Sequence, residues 1–313
     1  MKLTTDMVSV SIVIPVYNAE FSIGKLVDKL VSELKHQYNL EIVLVNDNSQ
    51  DNSEEVCIGL YERYKNVVSF YSLAKNVGEH NAVMAGLNNI SGDYVIIMDD
   101  DFQNPVSEVI KLISYVSEKD YDVVYTYYKK KKHSFYRNLG SRFNDKMANI
   151  MLKKPKDLYL SSFKMINKYL VNEIIKYDLP FPYIDGLILR STDNIGKIEV
   201  KHSERKSGKS GYTLKKLISL WLNMFTNFSI LPLRISIIIG FLFAIIGFLL
   251  GIQTFIEKLL NPGLPIGYPT IIVIIGIFAG IQLIAIGMIG EYLGRVFLSL
   301  NKKPQFTIRK KFE

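Results

Sequence analysis

Three consecutive aspartates, Asp99, Asp100 and Asp101, close an apolar run within Ser91–Pro105, SGDYVIIMDDDFQNP. Tyr94–Met98 has the length and β-branched content of a buried strand, which puts the aspartates at its carboxyl end, where open α/β sheets take their ligands. Neighbouring carboxylates repel one another unless a cation shares them. A hard divalent ion, Mg²⁺ or Mn²⁺, takes oxygen ligands and bridges protein carboxylates to substrate phosphates. Alternate side chains of an extended segment point the same way, so Asp99 and Asp101 face one ligand while Asp100 points elsewhere. That Asp-X-Asp arrangement suits a protein that grips a nucleotide diphosphate through a metal. The competing reading is a solvated acidic turn that caps the following helix.

A sheet must hold these residues, and the sequence before them alternates strand and helix patterns. Residues 8–16, VSVSIVIPV, read as a strand, and Asn18–Lys35 as a helix with apolar positions at Ile23, Leu26, Val27, Leu30 and Leu34. Glu41–Val45 is a second strand, Ser53–Tyr64 a helix, Val67–Ser72 a third strand and Glu79–Asn88 a helix. Asp122–Tyr125 is a further short strand beyond the aspartates. The alternation predicts an α/β, Rossmann-like, mostly parallel sheet, with a nucleotide across the strand ends near Tyr17, Asp47 and Asp99. A ring stacked near Tyr17, a base or ribose held by Asp47, and a metal at Asp101 would together grasp a nucleotide sugar. Each has a plainer role open to it, such as Asp47 capping the next helix. The Lys75-Asn76-Val77-Gly78 loop completes the constellation.

The 313 residues are 48% apolar with mean hydropathy +0.14, and the apolar excess lies near the C-terminus. Ile235–Ile256 is 22 residues without a charge and Pro269–Ile289 another 21. Either run makes a helix of about 30 Å, enough to cross a bilayer's hydrocarbon core. The connector Glu257–Tyr268 carries only Lys258 as a positive charge, whereas Arg205–Arg234 and the tail after Gly290 each carry six Lys or Arg. The positive-inside rule then places both flanks, and everything before Leu233, in the cytoplasm. No signal peptide is expected at the N-terminus, because Val8–Val16 is short and contains Pro15. Cys57 is the only cysteine, which excludes an intrachain disulfide and multi-cysteine zinc sites. The net charge of +8 clusters beside membrane-seeking segments and matches no nucleic-acid motif, so an anionic membrane face is the expected partner.

Two amphipathic helices are expected in the headgroup plane, one within the catalytic part, where packing against the sheet is equally open, and one leading into the membrane part. One, over about 133–152, follows the run Lys129–Lys132, which reads as a solvated loop. The other, over 213–232, has Trp221 on its apolar side and runs into the first span. Paired small residues four apart, such as Gly247 and Gly251 or Gly290 and Gly294, permit close helix packing, between the spans or in a homo-oligomer. The implied organisation is 1–212 catalytic, 213–232 interfacial, and 233–313 membrane domain with a basic tail. Other chemistries drop out. Gly208-Lys209-Ser210 lacks the earlier P-loop glycine, where Ser203 stands, and His36, His80, His133 and His202 show no ligand spacing.

With those residues in hand, the chain resembles the family 2 glycosyltransferases of GT-A fold, and among them the polyprenyl-phosphate glycosyltransferases. IVIPVYNAE is similar to their opening strand, VNDNSQDNS to their Asp-Asp-Gly-Ser segment, LAKNVGEHNAVMAGL to their Arg-Asn-Phe-Gly stretch and MDDDFQNP to their Asp-Ala-Asp motif. HSERKSGKSGYTL and GEYLGRVFLSLNKKP extend the likeness through the membrane part, towards undecaprenyl-phosphate formamido-arabinose and glucosyl transferases. The resemblance implies inverting transfer of a sugar from a nucleotide-diphosphate donor to polyprenyl phosphate at the cytoplasmic membrane face of a cell-envelope enzyme, with Mg²⁺ or Mn²⁺.

It also implies roles. Asp47 contacts the base, Asp99 the ribose or diphosphate, and Asp101 with Asp99 the metal. Pro15, Tyr17, Glu20, Lys75, Asn76, Gly78, Asp100 and Gln103 complete the donor site, while Arg205, Lys164, Ser162 and Arg137 neutralise acceptor phosphate. Three positions depart from the pattern. Asn46 stands for a first Asp, Gly211 for a lysine, and Ser161-Ser162-Phe163-Lys164 lacks an Asp. Two alternatives are weighed. A processive polysaccharide synthase would need Gln-x-x-Arg-Trp, and Trp221 is not preceded by Arg. A non-catalytic nucleotide-sugar-binding membrane protein would bind donor without turnover.

Overall fold

Val10, Ile12, Val13, Ile14 and Val16 are all fully buried, so both faces of β1 (Ser9–Val16) are covered. A strand buried on both faces belongs in the middle of a layered sheet. The structure, a computed structural model, describes residues 7–117, 119–128, 154–155, 157–201, 231–260, 263, 267–301 and 303–313. It divides into two units, Met1–Thr213 with Lys303–Glu313, and Leu214–Lys302.

In the first unit β1 is followed by α1 (Ile23–Leu34), β2 (Asn39–Asn46), α2 (Ser53–Arg63), β3 (Val68–Leu73), α3 (Glu79–Leu87), β4 (Tyr94–Ile97) and α4 (Val106–Ser117). Then come β5 (Val123–Tyr127), β6 (Lys164–Asn167), α5 (Lys168–Ile174), α6 (Ile184–Ser191), β7 (Ile195–Glu199) and, from the tail, β8 (Ile308–Phe312). The eight strands run in the order β7-β5-β6-β4-β1-β2-β3-β8. β4, β1, β2 and β3 pair in parallel, so the ends of all four reach one edge. β6 enters between β4 and β5 antiparallel to both, which makes the sheet mixed and brings its first residue, Lys164, beside Ile97.

Helix α1 starts at Ile23, not at Asn18 as its periodicity predicts. Asn18 sits at φ 54°, a left-handed conformation that no helix accommodates, and residues 17–22 form a turn instead. Residues 303–313, grouped with the membrane helices in the sequence reading, belong to the first unit, where Ile308–Phe312 form the antiparallel edge strand β8 on β3. β8 pairs with β3 on one side only, and Phe312 stacks 5.8 Å from Phe70. The expected helix over 133–152, the run Lys129–Lys132, and the helix expected over 213–232 as far as residue 230 lie outside the described residues.

The second unit holds α7 (Leu231–Leu260) and α8 (Tyr268–Leu300). Stretches long and apolar enough to cross a membrane run over Leu233–Glu257 and Ile277–Leu300, and α8 extends past the predicted end at Ile289. Phe241, Phe248 and Leu300 are 70%, 70% and 76% exposed, so apolar side chains face outwards, as on helices solvated by lipid. Phe243 and Phe278 meet edge to face at 6.4 Å, and a Cβ on Gly247 would sit 3.6 Å from Phe278. Among the other described span glycines, Gly251, Gly280, Gly290 and Gly294 have open space at that position.

Helix α3 lies close over β1 because Gly86 carries no side chain: a Cβ there would stand 2.4 Å from Val13 Cγ1 and 3.4 Å from Val45 Cγ2. Gly86→Ala is expected to cost about 1–3 kcal/mol through overpacking, and Val13→Ala in the same chain should remove much of that penalty. Thermal melting of the detergent-solubilised protein checks this, and an equal penalty in both backgrounds would refute it.

Candidate active site

Parallel pairing puts the segments after β1, β2, β3 and β4 side by side, and the acidic cluster follows β4 directly. Asp100 turns towards β1, where its Oδ2 accepts the Tyr17 N–H at 3.2 Å. Asp101 Oδ1 accepts the Gln103 N–H at 3.0 Å, closing a tight turn in which Phe102 takes φ 62°. Asp99 Oδ2 accepts the Ser162 hydroxyl at 2.7 Å. Burial first, and then the charges of Glu79 and Asp101, push the Asp99 carboxyl up to about 7, against the Ser162 hydrogen bond and the Lys164 charge. A crowded set of oxygen ligands of this kind is the chemistry a hard divalent cation fits. Among the described residues no group of three or more His, Cys, Asp or Glu side chains is arranged to hold a metal ion.

The end of β2 builds the neighbouring part. Asp47, 4% exposed, accepts the Val77 N–H at 2.7 Å and the Gly78 N–H at 2.9 Å, one on each carboxylate oxygen. Asn76 Nδ2 donates to the Asp47 carbonyl at 3.1 Å. Burial raises the Asp47 carboxyl, and those two amides counter it only in part. Asp47 therefore pins the 75–78 loop, where Gly78 at φ 89° supplies a conformation that side chains disfavour. Asn46 is fully buried and accepts the Ser49 N–H at 3.1 Å. The turn is tied to the first loop from both sides: Asn18 N–H donates to Ser49 Oγ at 3.0 Å, and Gln50 N–H to Asn18 Oδ1 at 2.8 Å. Glu20 accepts the Asn52 N–H at 3.0 Å, and its own N–H reaches Asp51 at 3.2 Å. Pro15 lies within β1, while Tyr17 and Lys75 are exposed at the edge.

Lys164 behaves differently from a phosphate ligand on the surface. It is 3% exposed, and its ammonium is ion-paired with Asp185 in the first turn of α6. Tyr125 donates its hydroxyl to the same Asp185 oxygen at 2.8 Å, and the Lys164 Nζ lies 5.2 Å from the Tyr125 ring centroid. Lys164 thus acts on Asp99 through charge from within the fold. His80, edge-on to Tyr183 at 5.1 Å, is held down to about 4, chiefly by burial, with Asp185 opposing and Lys164 reinforcing the effect. Asp185, Glu79, Tyr125 and the Asn46–Ser49 contact were not singled out in the sequence. Asp185 offers no motif, and the only available signal was an acid in the first turn of an apolar helix. Arg205 and Arg137 lie outside the described residues.

Breaking the Lys164–Asp185 pair leaves a buried charge without its partner, so Lys164→Met is expected to cost about 3–5 kcal/mol. Lys164→Met with Asp185→Leu should cost clearly less, and additive losses in thermal melts would refute the pairing. Neutral His80 favours the fold above its unfolded value of about 6.5, a contribution lost as pH falls towards 4. Asp99, with its raised value, contributes with the opposite sign. The check is therefore a difference. Between pH 7 and pH 5 the melting temperature of His80→Gln should fall less than that of the unsubstituted protein, and parallel curves would refute it.

Three comparisons bear on this edge. The Glycosyl transferase family 2 profile matches residues 11–175, from β1 through α5. The undecaprenyl-phosphate 4-deoxy-4-formamido-L-arabinose transferases of Photorhabdus laumondii and Proteus mirabilis are 31% and 32% identical over 304 and 308 residues, 96% of this chain and 93% of each relative. In crystal structures, glucosyl-3-phosphoglycerate synthase from Mycobacterium tuberculosis in complex with uridine diphosphate aligns with TM-score 0.51 and 16% identity, covering 69% of this chain and 78% of that one. The same enzyme with Mn²⁺ and UDP-glucose gives 0.50 and 17%, over 68% and 74%. Mannosyl-3-phosphoglycerate synthase from Rubrobacter xylanophilus gives 0.51 and 15%, over 69% and 71%. These structures share the GT-A sheet described here. With a profile covering more than half of the chain, from β1 through α5, and relatives aligned almost end to end, the chain belongs to glycosyl transferase family 2 and is a glycosyltransferase.

Proposed function

We propose that this glycosyltransferase moves a sugar, with inversion, from a nucleotide-diphosphate donor to polyprenyl phosphate at the cytoplasmic face of the cell membrane. The reading is carried by one coincidence within a single chain. A sheet edge bearing Asp99, Asp100 and Asp101 is followed by two helices whose apolar side chains face outwards. Relatives that act, by name, on undecaprenyl phosphate align through both parts.

The acceptor chemistry needs no general base from the protein. A phosphate monoester has its second pKa near ~6, so it is mostly a dianion at neutral pH. One of its oxygens attacks the anomeric carbon, a new carbon–oxygen bond forms, and the bond from that carbon to the diphosphate oxygen breaks. The leaving nucleoside diphosphate departs with the electron pair. Charge therefore builds on the leaving group, and the residues present answer that need. Asp99 and Asp101 would hold Mg²⁺ or Mn²⁺, which when bound offsets charge on the diphosphate. Asp100 fixes the end of β1 at Tyr17, and Asp47 fixes the 75–78 loop, so the walls of the donor site are set before the donor arrives. Ser162, on Asp99, marks the acceptor side, and Arg205 and Arg137 would add cations there.

Helices α7 and α8 would cross the bilayer with the basic flanks and both termini in the cytoplasm, and the amphipathic segments 133–152 and 213–232 would lie in the headgroup layer where the acceptor's phosphate sits. The outward-open glycine positions on the spans leave room for a second copy of the chain to pack there as a homo-oligomer.

Purified full-length protein in lipid nanodiscs should convert undecaprenyl phosphate and one member of a nucleotide-sugar panel to a glycolipid when Mg²⁺ or Mn²⁺ is supplied. EDTA should stop the reaction, and Asp101→Ala should slow it by about 100-fold or more with the melting temperature retained. Donor binding without any glycolipid, across the whole panel, would overturn the reading.

A further inference from the structure

Past the end of α8 the chain rejoins the sheet next to the segment that leads into the Lys75–Gly78 loop. Gln305 donates to the carbonyls of Tyr177 at 2.6 Å and Leu179 at 2.9 Å, in the segment leading to α6. The Thr307 carbonyl accepts the Ala74 N–H at 2.9 Å, one residue before the Lys75–Gly78 loop. β8 then pairs with β3, and the hydroxyls of Tyr61 and Tyr71 both donate to Glu313.

Midway along β8, Lys310 forms an ion pair with Glu54 of α2. Exposed pairs of this kind usually contribute little. This one differs in what lies behind it. The second carboxylate oxygen of Glu54 accepts from Ser72 Oγ at 2.6 Å and from Asn46 Nδ2 at 3.2 Å, and Ser72 and Asn46 are 1% and 0% exposed. Asn46 Nδ2 also reaches Ser72 Oγ at 3.2 Å, while its Oδ1 accepts the Ser49 N–H. A buried amide so occupied has one orientation, and that orientation sets the turn after β2. Partial burial would raise the Glu54 carboxyl, yet Lys310, Ser72 and Asn46 together hold it below the usual carboxylate range.

We propose that Lys310 and Glu54 are positioning residues for the nucleotide end of the site: β8 fixes Glu54, Glu54 fixes Asn46, and Asn46 sets the 47–53 turn that would receive the donor. The inference rests on the reading that a nucleotide-sugar donor binds at this turn. It assigns the tail a part in donor affinity and none in the transfer step.

The test uses full-length protein in nanodiscs, with undecaprenyl phosphate as acceptor and direct titration with uridine, guanosine and thymidine diphosphates. Lys310→Met and Glu54→Gln should raise the donor KM and the nucleotide Kd by about 5- to 20-fold, with kcat and acceptor KM held within about twofold. Lys310→Arg should stay within about twofold of the unsubstituted protein, as should the β8 control Arg309→Gln. The double variant should be little worse than Glu54→Gln alone, since the two act in series. If the unsubstituted protein binds no nucleotide and turns over no donor, the donor reading falls and this inference falls with it. If it binds nucleotide and both variants bind equally well, the positioning role alone is overturned. A joint loss of kcat and affinity that tracks the melting temperature also overturns it, because that is what a merely structural contact would give.

Discussion

Carboxylates gathered at the end of a parallel sheet must find opposite charge, hydrogen-bond donors or protons, and the surroundings of Asp99 are arranged by that requirement. The parallel register of β4 with β1 brings Asp99, Asp100 and Asp101 to the edge where Tyr17 follows the end of β1. Each carboxylate then takes a different partner. Asp100 takes a backbone amide across the sheet, Asp101 one within its own turn, and Asp99 a hydroxyl from the segment before β6. The antiparallel entry of β6 beside β4 is what makes that hydroxyl and the Lys164 charge available. Lys164 is in turn neutralised by Asp185, so its influence on Asp99 comes from inside the fold, where solvent screens it least. The net result is a carboxyl lifted to about 7, chiefly by burial and then by the charges of Glu79 and Asp101.

The sequence made the first half of this visible. β1 to β5 have strong signals, since each is a short apolar, β-branched run bounded by polar turn residues, and the helices between them keep an apolar stripe. Residues at strand ends follow from that frame, which is why Tyr17, Asp47, Lys75–Gly78 and Asp99–Asp101 assemble along one edge. β6, β7 and β8 were missed for a physical reason. Lys164–Asn167, KMIN, and Ile308–Phe312, IRKKF, carry lysines where strand patterns expect apolar residues. Lys164 is tolerated in the interior because Asp185 and the Tyr125 ring neutralise and cover it. The lysines of β8 sit at an open sheet edge, where charge is a normal guard against unwanted pairing. Neither circumstance can be read from a local window, because each depends on residues far away in the chain. The same holds for Asp47, whose grip on the Val77 and Gly78 amides spans about thirty residues.

The Asn at position 46, where relatives by resemblance carry an acid, follows from the same electrostatic logic. Its amide nitrogen donates to Glu54 and to Ser72, and its oxygen accepts from Ser49. An aspartate could keep the last of these contacts, but it has no N–H to give and would set a second carboxylate against Glu54, beside the buried Asp47. Asn46 and Glu54 therefore suit each other: the acid on α2 sits at the edge of the core against donors from Asn46 on β2 and Ser72 on β3. Lys310 from β8 balances the charge that remains. A departure that looks local in the sequence is thus one member of a three-part arrangement whose other members come from a helix and from the far end of the chain.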